Sequence, residues 1–557
     1  MKKLKKITAL ALSAITALGV TSFAACNKDE NKRKVDENKT QLYIGNFDGG
    51  YGHEWLEKAA ALFEQRYEQT SFETGKTGVQ IWITNQKDEY TGYTFYQRIA
   101  GMSQDIFITA QPRQEIIDGS LIVSLNDIMD EPLTEFGENK TIRQKLAPYY
   151  KEAYNMGETT ATATEKVTFL PMAEAFFGNC VYDIELFEDK KYFIDADGKW
   201  SDGTTKSAGM DGVAGTFDDG LPTTETEFFE LLDRIYTRGD IPLTFAGQYT
   251  AYMNAWCFNI FCNFDDGEGQ RIYNTLEGEY VLYGDTEKTT FNGHNFYDAQ
   301  RLPGRLYALE SAYKLVKEPN YYSSEAFKTS QSHIEAQDEF ITSAIANQRV
   351  AMLIEGTWWE NEASDTFNRM ANSNEKYSKM NRRFGLMPTF RHSKGTAEKT
   401  TFLAANQTMF INANTDYEEL SKLFLKFVCT DEVLELFTKT TGCPSPYEYT
   451  ISQDTYNSLS NFGKNVWDIH ENKNDKFVIV TENRNSTAYM RDQTNYPQNF
   501  ESNVNARGET KGGTTIPFTF FKYDTTNATA KDYFDCIYDV ACRKYDSSYA
   551  SEFGARN

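Results

Sequence analysis

A strand–helix–strand pattern opens the folded part of the chain and constrains its fold more than any other feature. Residues 42–47 read as a buried strand, residues 53–69 repeat apolar side chains at helical spacing, and residues 105–109 form a further strand. Strands joined in this way form parallel, right-handed units. The pattern therefore predicts an α/β fold with a parallel sheet.

Two loops of this pattern are candidates for ligand binding. In parallel sheets, ligands lie beyond the carboxyl ends of the strands. The glycine-rich loop 48–52 follows the first strand, and residues 109–113 follow the later one. We expect the two loops to share one edge of the sheet and to bring Asp48, Tyr51 and Gln111 to the site.

Two adjacent tryptophans follow another short apolar run. Residues 351–354 read as a buried strand that ends at Gly356, and Trp358 and Trp359 come directly after the turn. Neighbouring side chains point to different sides, so one indole can anchor the turn while the other faces a cleft. An exposed indole face suits the apolar surface of a sugar ring. The alternative is that both tryptophans belong to the core.

The amino terminus has the pattern of a secretory signal. Residues 1–25 begin with four lysines, continue with an apolar run and end in small residues before Cys26. The ending Phe23-Ala-Ala-Cys26 resembles the lipobox of bacterial lipoproteins, which implies that Cys26 carries a lipid anchor. The alternative is an ordinary secretory signal. Residues 26–40 are rich in charges of both signs and read as a solvated tether.

Composition excludes some partners and chemistries. The formal net charge is −23, and such an acidic surface repels phosphate backbones, so nucleic acid is not an expected partner. Lipidation of Cys26 leaves seven of the eight cysteines, which include no C-x-x-C pair and are mostly expected to be buried free thiols.

No motif for catalysis is present in the sequence. It contains neither G-x-S-x-G nor H-E-x-x-H, and its five histidines are scattered. We therefore predict a protein that is not an enzyme and requires no cofactor. Carboxylate pairs that hydrolyse glycosides have no sequence signature, so a surface-anchored polysaccharide hydrolase or lyase stays an alternative. A sugar-sensing partner of a membrane receptor is a second alternative.

An acidic, glycine-rich insert occupies residues 195–222. Its six aspartates lie among six glycines, and hard carboxylate oxygens on a pliable backbone suit calcium. A structural calcium ion could be held by Asp195, Asp197, Asp202 and Asp218. The insert does not match an EF-hand, because Lys199 takes the fifth position. The alternative is a solvated acidic loop.

Polar and aromatic side chains crowd residues 241–256. Gln248, Tyr252 and Trp256 follow a segment that reads as a loop, and we expect them to contribute to the site. The i, i+4 spacing of Tyr252 and Trp256 is equally typical of a buried aromatic helix.

Seven short motifs from residue 42 to about residue 446 resemble, in order, the maltose-binding-protein-like carbohydrate branch of the extracellular solute-binding proteins of ABC importers. The motifs lie at residues 48–52, 105–108, 119–126, 170–183, 350–359, 384–388 and 442–445. The resemblance implies a type II periplasmic-binding-protein-like fold with two lobes joined by crossover segments around a cleft. It also implies that Asp48, Tyr51, Glu174 and Trp358 line a sugar cleft.

The resemblance further implies a function and partners. We expect a monomeric, extracellular, lipid-anchored receptor that captures a neutral carbohydrate, an oligosaccharide by preference, and delivers it to the membrane permease of an ABC transporter. The expected segments are a signal peptide (1–25), a tether (26–40), lobe 1 (41–130 and 404–470), lobe 2 (131–403) and a C-terminal segment that joins lobe 2 (471–557).

Overall fold

The computed structural model describes residues 33–109, 119–153, 167–292, 295–471, 476–481, 500, 502–504, 510–515 and 517–556. The strands of this part are β1 (Thr40–Phe47), β2 (Val79–Gln86), β3 (Ile106–Thr109), β4 (Leu170–Asp183), β5 (Phe193–Ile194), β6 (Trp200–Ser201), β7 (Ile241–Thr244), β8 (Glu277–Val281), β9 (Lys288–Asn292), β10 (Val350–Gly356), β11 (Phe384–Met387), β12 (Thr400–Ile411), β13 (Phe477–Thr481), β14 (Ser502–Val504) and β15 (Thr510–Thr515).

The α-helices are α1 (Glu54–Arg66), α2 (Gly92–Arg98), α3 (Asn126–Met129), α4 (Ile142–Lys145), α5 (Pro148–Ala153), α6 (Ile184–Lys190), α7 (Glu225–Thr237), α8 (Ala251–Cys262), α9 (Glu268–Thr275), α10 (Pro303–Lys317), α11 (His333–Thr342), α12 (Trp359–Glu362), α13 (Ser364–Ser373), α14 (Glu418–Val428), α15 (Asp431–Thr441), α16 (Gln453–Ser458), α17 (Asn461–Glu471), α18 (Pro517–Tyr523), α19 (Ala530–Ser548) and α20 (Ala550–Phe553).

A mixed sheet of nine strands organises the fold. Its order is β2-β1-β3-β12-β4-β10-β7, while β11 also pairs with β4 and β13 with β12. β1 and β3 are parallel, with Ile44 opposite Ile106, as the strand–helix–strand pattern predicts. The sequence-based α/β fold is therefore confirmed.

Two long antiparallel strands run through this sheet. β4 has 14 residues and β12 has 12, and Phe176 lies opposite Ala404 where they pair. Further along β4, Val181 lies opposite both Leu353 of β10 and Leu386 of β11. The first half of β4 thus pairs with β12, and the second half pairs with β10 and β11.

A glycine in β4 fixes the position of the neighbouring helix. Gly178 has a φ of +78°, and a Cβ atom there would lie 2.5 Å from the carbonyl carbon of Ala255 in α8. Because L side chains rarely adopt this conformation, the close approach of α8 to β4 requires glycine. The pairing of β4 with β10 also shifts register between Glu355 and Gly356, beside this glycine.

Helix α8 is buried on almost all sides. Every residue from Tyr252 to Cys262 is buried, as expected of an apolar helix without a polar face. Its side chains enter the largest hydrophobic cluster, together with α10, α18 and α19. A second cluster surrounds α12 and α17.

The chain divides into two compact units. In its described part, one unit comprises residues 33–41 and 67–80. Within it, the Asp36 N–H donates to Gln80 Oε1 (2.8 Å) and the Thr40 N–H donates to the Gly78 carbonyl (3.1 Å). The other unit comprises residues 42–66 and the described residues from 81 onward, and it contains every site residue discussed below.

All seven cysteines of the described residues are buried free thiols: Cys180, Cys257, Cys262, Cys429, Cys443, Cys536 and Cys542. Burial raises the pKa of the Cys180 thiol to about 12 and that of the Cys429 thiol to about 11, which keeps both protonated. Within the described ranges, the helices include none with the length and apolarity needed to cross a bilayer.

Candidate functional site

A row of four aromatic side chains forms the centre of the candidate site. The centroid of the Trp358 ring lies 6.0 Å from that of Tyr51 and 5.3 Å from that of Phe177. The Phe177 ring meets Tyr252 edge-on at 5.1 Å. Tyr51, Phe177 and Trp358 are each half-buried, so part of each ring stays accessible. We call these four residues the aromatic row.

Local backbone geometry places the indole of Trp358 in this row. β10 ends at Gly356, and Trp358 occupies the residue before helix α12. A Cβ atom on Gly50 would lie 2.1 Å from Cδ1 of the indole, and one on Gly356 would lie 2.5 Å from its far edge. The two glycines therefore make room for the ring, one from each loop.

Beside the row, five polar side chains from four segments come together. Gln337 Nε2 donates to Glu355 Oε1 (3.1 Å) and to Glu362 Oε2 (3.0 Å). The other carboxylate oxygen of Glu362 lies 3.7 Å from His333 Nε2 and 3.9 Å from Lys87 Nζ. Lys87 Nζ is also 3.4 Å from His333 Nε2. We call these five residues the polar cluster.

The aromatic row and the polar cluster are in contact. The imidazole of His333 is nearly parallel to the Tyr252 ring, with an interplanar angle of 13° and centroids 6.5 Å apart. The ring of exposed Tyr249 also lies near this imidazole, with centroids 5.3 Å apart. The site thus combines a set of neighbouring aromatic rings with adjoining hydrogen-bonding groups.

Burial decides the charges of several of these groups. Desolvation raises the pKa of Glu355 well above its ordinary value, and the neighbouring Glu362 carboxylate raises it further. Burial also lowers the pKa of His333, although Glu362 opposes the shift. Burial therefore favours the neutral forms of Glu355 and His333, while Lys87 Nζ lies 3.9 Å from the Glu362 carboxylate.

The tyrosines of the row are neutral hydrogen-bonding groups. Burial raises the pKa values of Tyr51 and Tyr252, and nearby acidic groups raise them further. The indole of Trp358 partly opposes the rise in the pKa of Tyr252.

Asp48 and Gln248 are two further residues predicted to belong to the site. Asp48 precedes Tyr51 of the aromatic row by three residues in the sequence. It belongs to the same loop as Tyr51, is part-exposed, and its Oδ1 lies 3.2 Å from Nδ1 of His53. Gln248 is exposed, and its backbone N–H donates to the Gln331 carbonyl at 2.9 Å. Neither residue is held in the aromatic row.

Glu174 is a buried residue of β4, three residues before Phe177. Its carboxylate accepts hydrogen bonds from the Tyr149 hydroxyl and from Nδ1 of His470, the latter at 3.0 Å. Burial raises the pKa of Tyr51, and the charges of Cys443, Glu362 and Glu174 raise it further, so Glu174 lies within electrostatic range of the aromatic row.

Two predicted site tryptophans are core residues. Trp359 is 0% exposed, and the rings of Phe340, Phe367 and Phe384 surround it at 5.1–5.8 Å. Trp256 is 1% exposed within the cluster around α8. Their ring faces are covered by protein, so we correct the expectation that these two residues bind ligand.

The predicted calcium ligands are not brought together. Asp195 Oδ1 accepts from the backbone N–H groups of Asp197 and Lys199, and Asp202 Oδ1 accepts from that of Thr204. Buried Asp218 accepts from two backbone N–H groups and from the Thr216 hydroxyl. Within the part of the chain that the structure describes, no three acidic, histidine or cysteine side chains are arranged to hold a metal ion.

Two further predictions concern residues that are not described. Gln111 lies in residues 110–118, and Cys26 lies in residues 1–32, and both ranges fall outside the described residues.

Sequence reasoning missed six residues of the site. Phe177 belongs to the motif 170–183, and its aromatic character was the available signal. Glu355 belongs to the motif 350–359, from which only the two tryptophans were predicted to bind ligand. No local pattern indicated the others, because they lie far apart in the chain: Lys87, His333, Gln337 and Glu362.

Sequence comparison and structural comparison give different results for this chain. No family model and no curated protein matches its sequence. Among solved structures, RafE in complex with raffinose covers 90% of this chain and 100% of its own, with a TM-score of 0.52 at 13% identity. The apo form of RafE from Streptococcus pneumoniae covers 91% and 100%, with a TM-score of 0.54 at 13% identity.

A third similar structure is the cyclic α-maltosyl-1,6-maltose binding protein from Arthrobacter globiformis. It covers 92% of this chain and 100% of its own, with a TM-score of 0.52 at 12% identity. Likeness at this level of identity is a likeness of fold. The chain therefore has the α/β fold of the two-lobed solute-binding proteins.

Proposed function

We propose that this protein is a receptor that captures a neutral oligosaccharide between two closing lobes and delivers it to the permease of an ABC transporter. The aromatic row is the observation that carries the proposal, because half-buried aromatic rings suit the apolar faces of sugar units. The similar structures include RafE in complex with raffinose and a binding protein for cyclic α-maltosyl-1,6-maltose, which supports the same class of ligand.

The charge balance of the site favours a neutral ligand. The Lys87 ammonium lies 3.9 Å from the Glu362 carboxylate, so these two charges offset each other. An additional charge on the ligand would therefore have no counter-charge in this cluster. Glu362, Lys87 and His333 would instead exchange hydrogen bonds with hydroxyl groups, and bonds to charged groups are the stronger ones. A dissociation constant in the micromolar range corresponds to a net binding free energy of about 8 kcal/mol in favour of the complex.

Replacement of one indole tests the proposal. We expect Trp358→Ala to weaken the binding of neutral oligosaccharides at least tenfold, which corresponds to about 1.4 kcal/mol, because a ring face is lost. Isothermal titration with a panel of neutral oligosaccharides measures the effect. The melting temperature of the unliganded variant should stay within a few degrees of that of the wild type.

The adjacent tryptophan supplies the matched control. Trp359→Ala removes the same side chain from the core and should cost roughly 3–5 kcal/mol of stability, as large core truncations do. If Trp358→Ala destabilises the protein to the same extent and leaves sugar affinity unchanged, the proposed site is wrong. New reducing ends in the incubated sugar would instead indicate a hydrolase.

We further propose that a lipid on Cys26 holds the receptor at the extracellular face of the bacterial membrane. The support is the sequence Phe23-Ala-Ala-Cys26 behind a basic and apolar leader. Labelled palmitate should enter the wild-type chain and not the Cys26→Ala variant. Equal labelling of both chains would refute the anchor.

A further inference from the structure

A second cavity lies away from the aromatic row, at the amino end of β7. Its volume is about 870 Å³, and its lining includes Ile241 and Pro242 at the start of that strand. Residues of the segment 319–330, the carboxyl end of helix α18, and the side chains of Tyr236, Asp240 and Gln348 form the rest of its wall. The aromatic row lies beyond the opposite end of β7, where Tyr252 follows, so the two sites are separate. A volume of this size is typical of small-molecule sites.

Aromatic rings and short polar side chains line this cavity together. Tyr236 and Tyr523 are 46% and 63% exposed, although large aromatic side chains are usually more buried. The Tyr523 hydroxyl donates to the Phe327 carbonyl (3.3 Å), which holds its ring in place. Hydroxyl groups of Ser324 and Ser330 lie in the same wall. Exposed tyrosine rings beside hydroxyl groups suit a saccharide.

One lysine gives the cavity a positive charge. Lys522 Nζ donates to the Tyr322 hydroxyl (2.8 Å) and lies 4.8 Å and 5.1 Å from the ring centroids of Tyr322 and Phe327. Among the described residues, Lys522 has no carboxylate partner. A phenol and two ring faces orient the ammonium without neutralising it.

The other charged groups of the cavity have neighbours of opposite charge. Lys328 Nζ lies 2.6 Å from Glu325 Oε1. Asp240 is buried, and its Oδ2 lies 4.0 Å from Lys190 Nζ. It also accepts hydrogen bonds from the Tyr192 hydroxyl and the Arg349 backbone N–H, both at 3.1 Å. The Lys522 ammonium is therefore the charged group of this cavity that is available to a ligand. It would attract an anion even though the chain as a whole has a formal net charge of −23.

We propose that this cavity is a second saccharide site, specific for sugars that carry a carboxylate. The carboxylate would pair with the Lys522 ammonium, and the sugar ring would lie against Tyr523 or Tyr236. This cavity would bind acidic sugars, whereas the aromatic row would bind neutral ones, because the charges of the polar cluster beside the row offset each other. The inference does not depend on the function proposed for the row.

Oligogalacturonate of two or three units is a suitable probe, and its methyl ester is a matched neutral control. Isothermal titration of the full soluble chain should detect the acid, with at least tenfold weaker binding of the ester. Lys522→Gln should weaken binding of the acid at least tenfold, since glutamine keeps a hydrogen bond to Tyr322 and loses the charge. Tyr523→Ala should weaken both the acid and the ester.

Two control variants make the result specific. Lys531→Gln removes another lysine that lies over aromatic rings but is paired with Asp535, and it should leave the affinity unchanged. Trp358→Ala should also leave it unchanged. The proposal is overturned if the acid does not bind, if Lys522→Gln binds it as tightly as the wild type, or if Trp358→Ala abolishes binding.

Discussion

Glu360 is a buried carboxylic acid in helix α12, and its titration makes stability depend on pH. Burial raises the pKa of Glu360 from 4.5 to about 7, although Lys379 and the Ser460 hydroxyl oppose the shift. Between these values the folded chain keeps a proton that the unfolded chain has lost. The free energy of unfolding is therefore highest below the unfolded pKa and falls as pH rises, by about 3 kcal/mol in total from this group.

Glu360→Gln should remove this part of the pH dependence, because the amide stays neutral throughout. We expect the variant and the wild type to differ little near about pH 4, whereas near about pH 8 the variant should be more stable by up to about 3 kcal/mol. Urea unfolding at a series of pH values measures both curves. Parallel curves for the two proteins would contradict the assignment of a raised pKa to Glu360.

Single residues also show what sequence can and cannot predict about a site. The pattern before Trp358 and Trp359 correctly predicts a strand that ends at Gly356 and two indoles on different sides. Which indole faces the core depends on the direction in which α12 leaves the strand, and that is set by packing against Phe384 and Phe462. Those contacts are distant in sequence, so no local pattern contains them.

At the scale of elements, the contact between β4 and α8 supports the aromatic row. Gly178→Ala should strain a backbone with φ of +78° and push Cβ into Ala255. The expected loss of stability is about 2–4 kcal/mol, from backbone strain and overpacking together. Because Phe177 is the preceding residue, the variant should also bind neutral oligosaccharides more weakly than the wild type.

Gly198→Ala is the matched control for the element-scale prediction. Gly198 has a φ of +73°, and a Cβ atom there would meet nothing within 4 Å. This variant should lose only the backbone component, about 1–2 kcal/mol, and its sugar affinity should not change. Chemical denaturation and titration of both variants measure the difference. Equal losses in the two would show that the approach of α8 to β4 is not tight.

Secondary-structure elements could be predicted from the sequence where residues close together in the chain determine them. Helix α15 ends at Thr441 and is followed by Gly442, whose φ of +73° is the left-handed conformation that glycine commonly adopts after a helix. The predicted parallel relation of β1 and β3 follows from connection rules and is confirmed. The polar cluster was not predictable, because Lys87, His333 and Glu362 come from three elements that meet only after the chain has folded.

For the whole molecule, the two proposed sites lie at opposite ends of β7 and use different residues. Sites that share no residue and no moving element should contribute independently to stability. A ligand at one hundred times its dissociation constant adds about 2.7 kcal/mol to the free energy of unfolding. For a chain of this length that corresponds to a rise of roughly 2–3 °C in melting temperature, if unfolding is cooperative.

We therefore expect the thermal shifts from a neutral oligosaccharide and from oligogalacturonate to add when both ligands saturate the protein. Differential scanning fluorimetry with each ligand alone and with both measures this. Trp358→Ala should lose only the neutral component, and Lys522→Gln only the acidic one. If the combined shift is no larger than the greater single shift, the two ligands compete for one site and the cavity at β7 is not a second one. A combined shift larger than the sum would instead show that closure around one sugar favours the other, because coupling between two ligands is reciprocal.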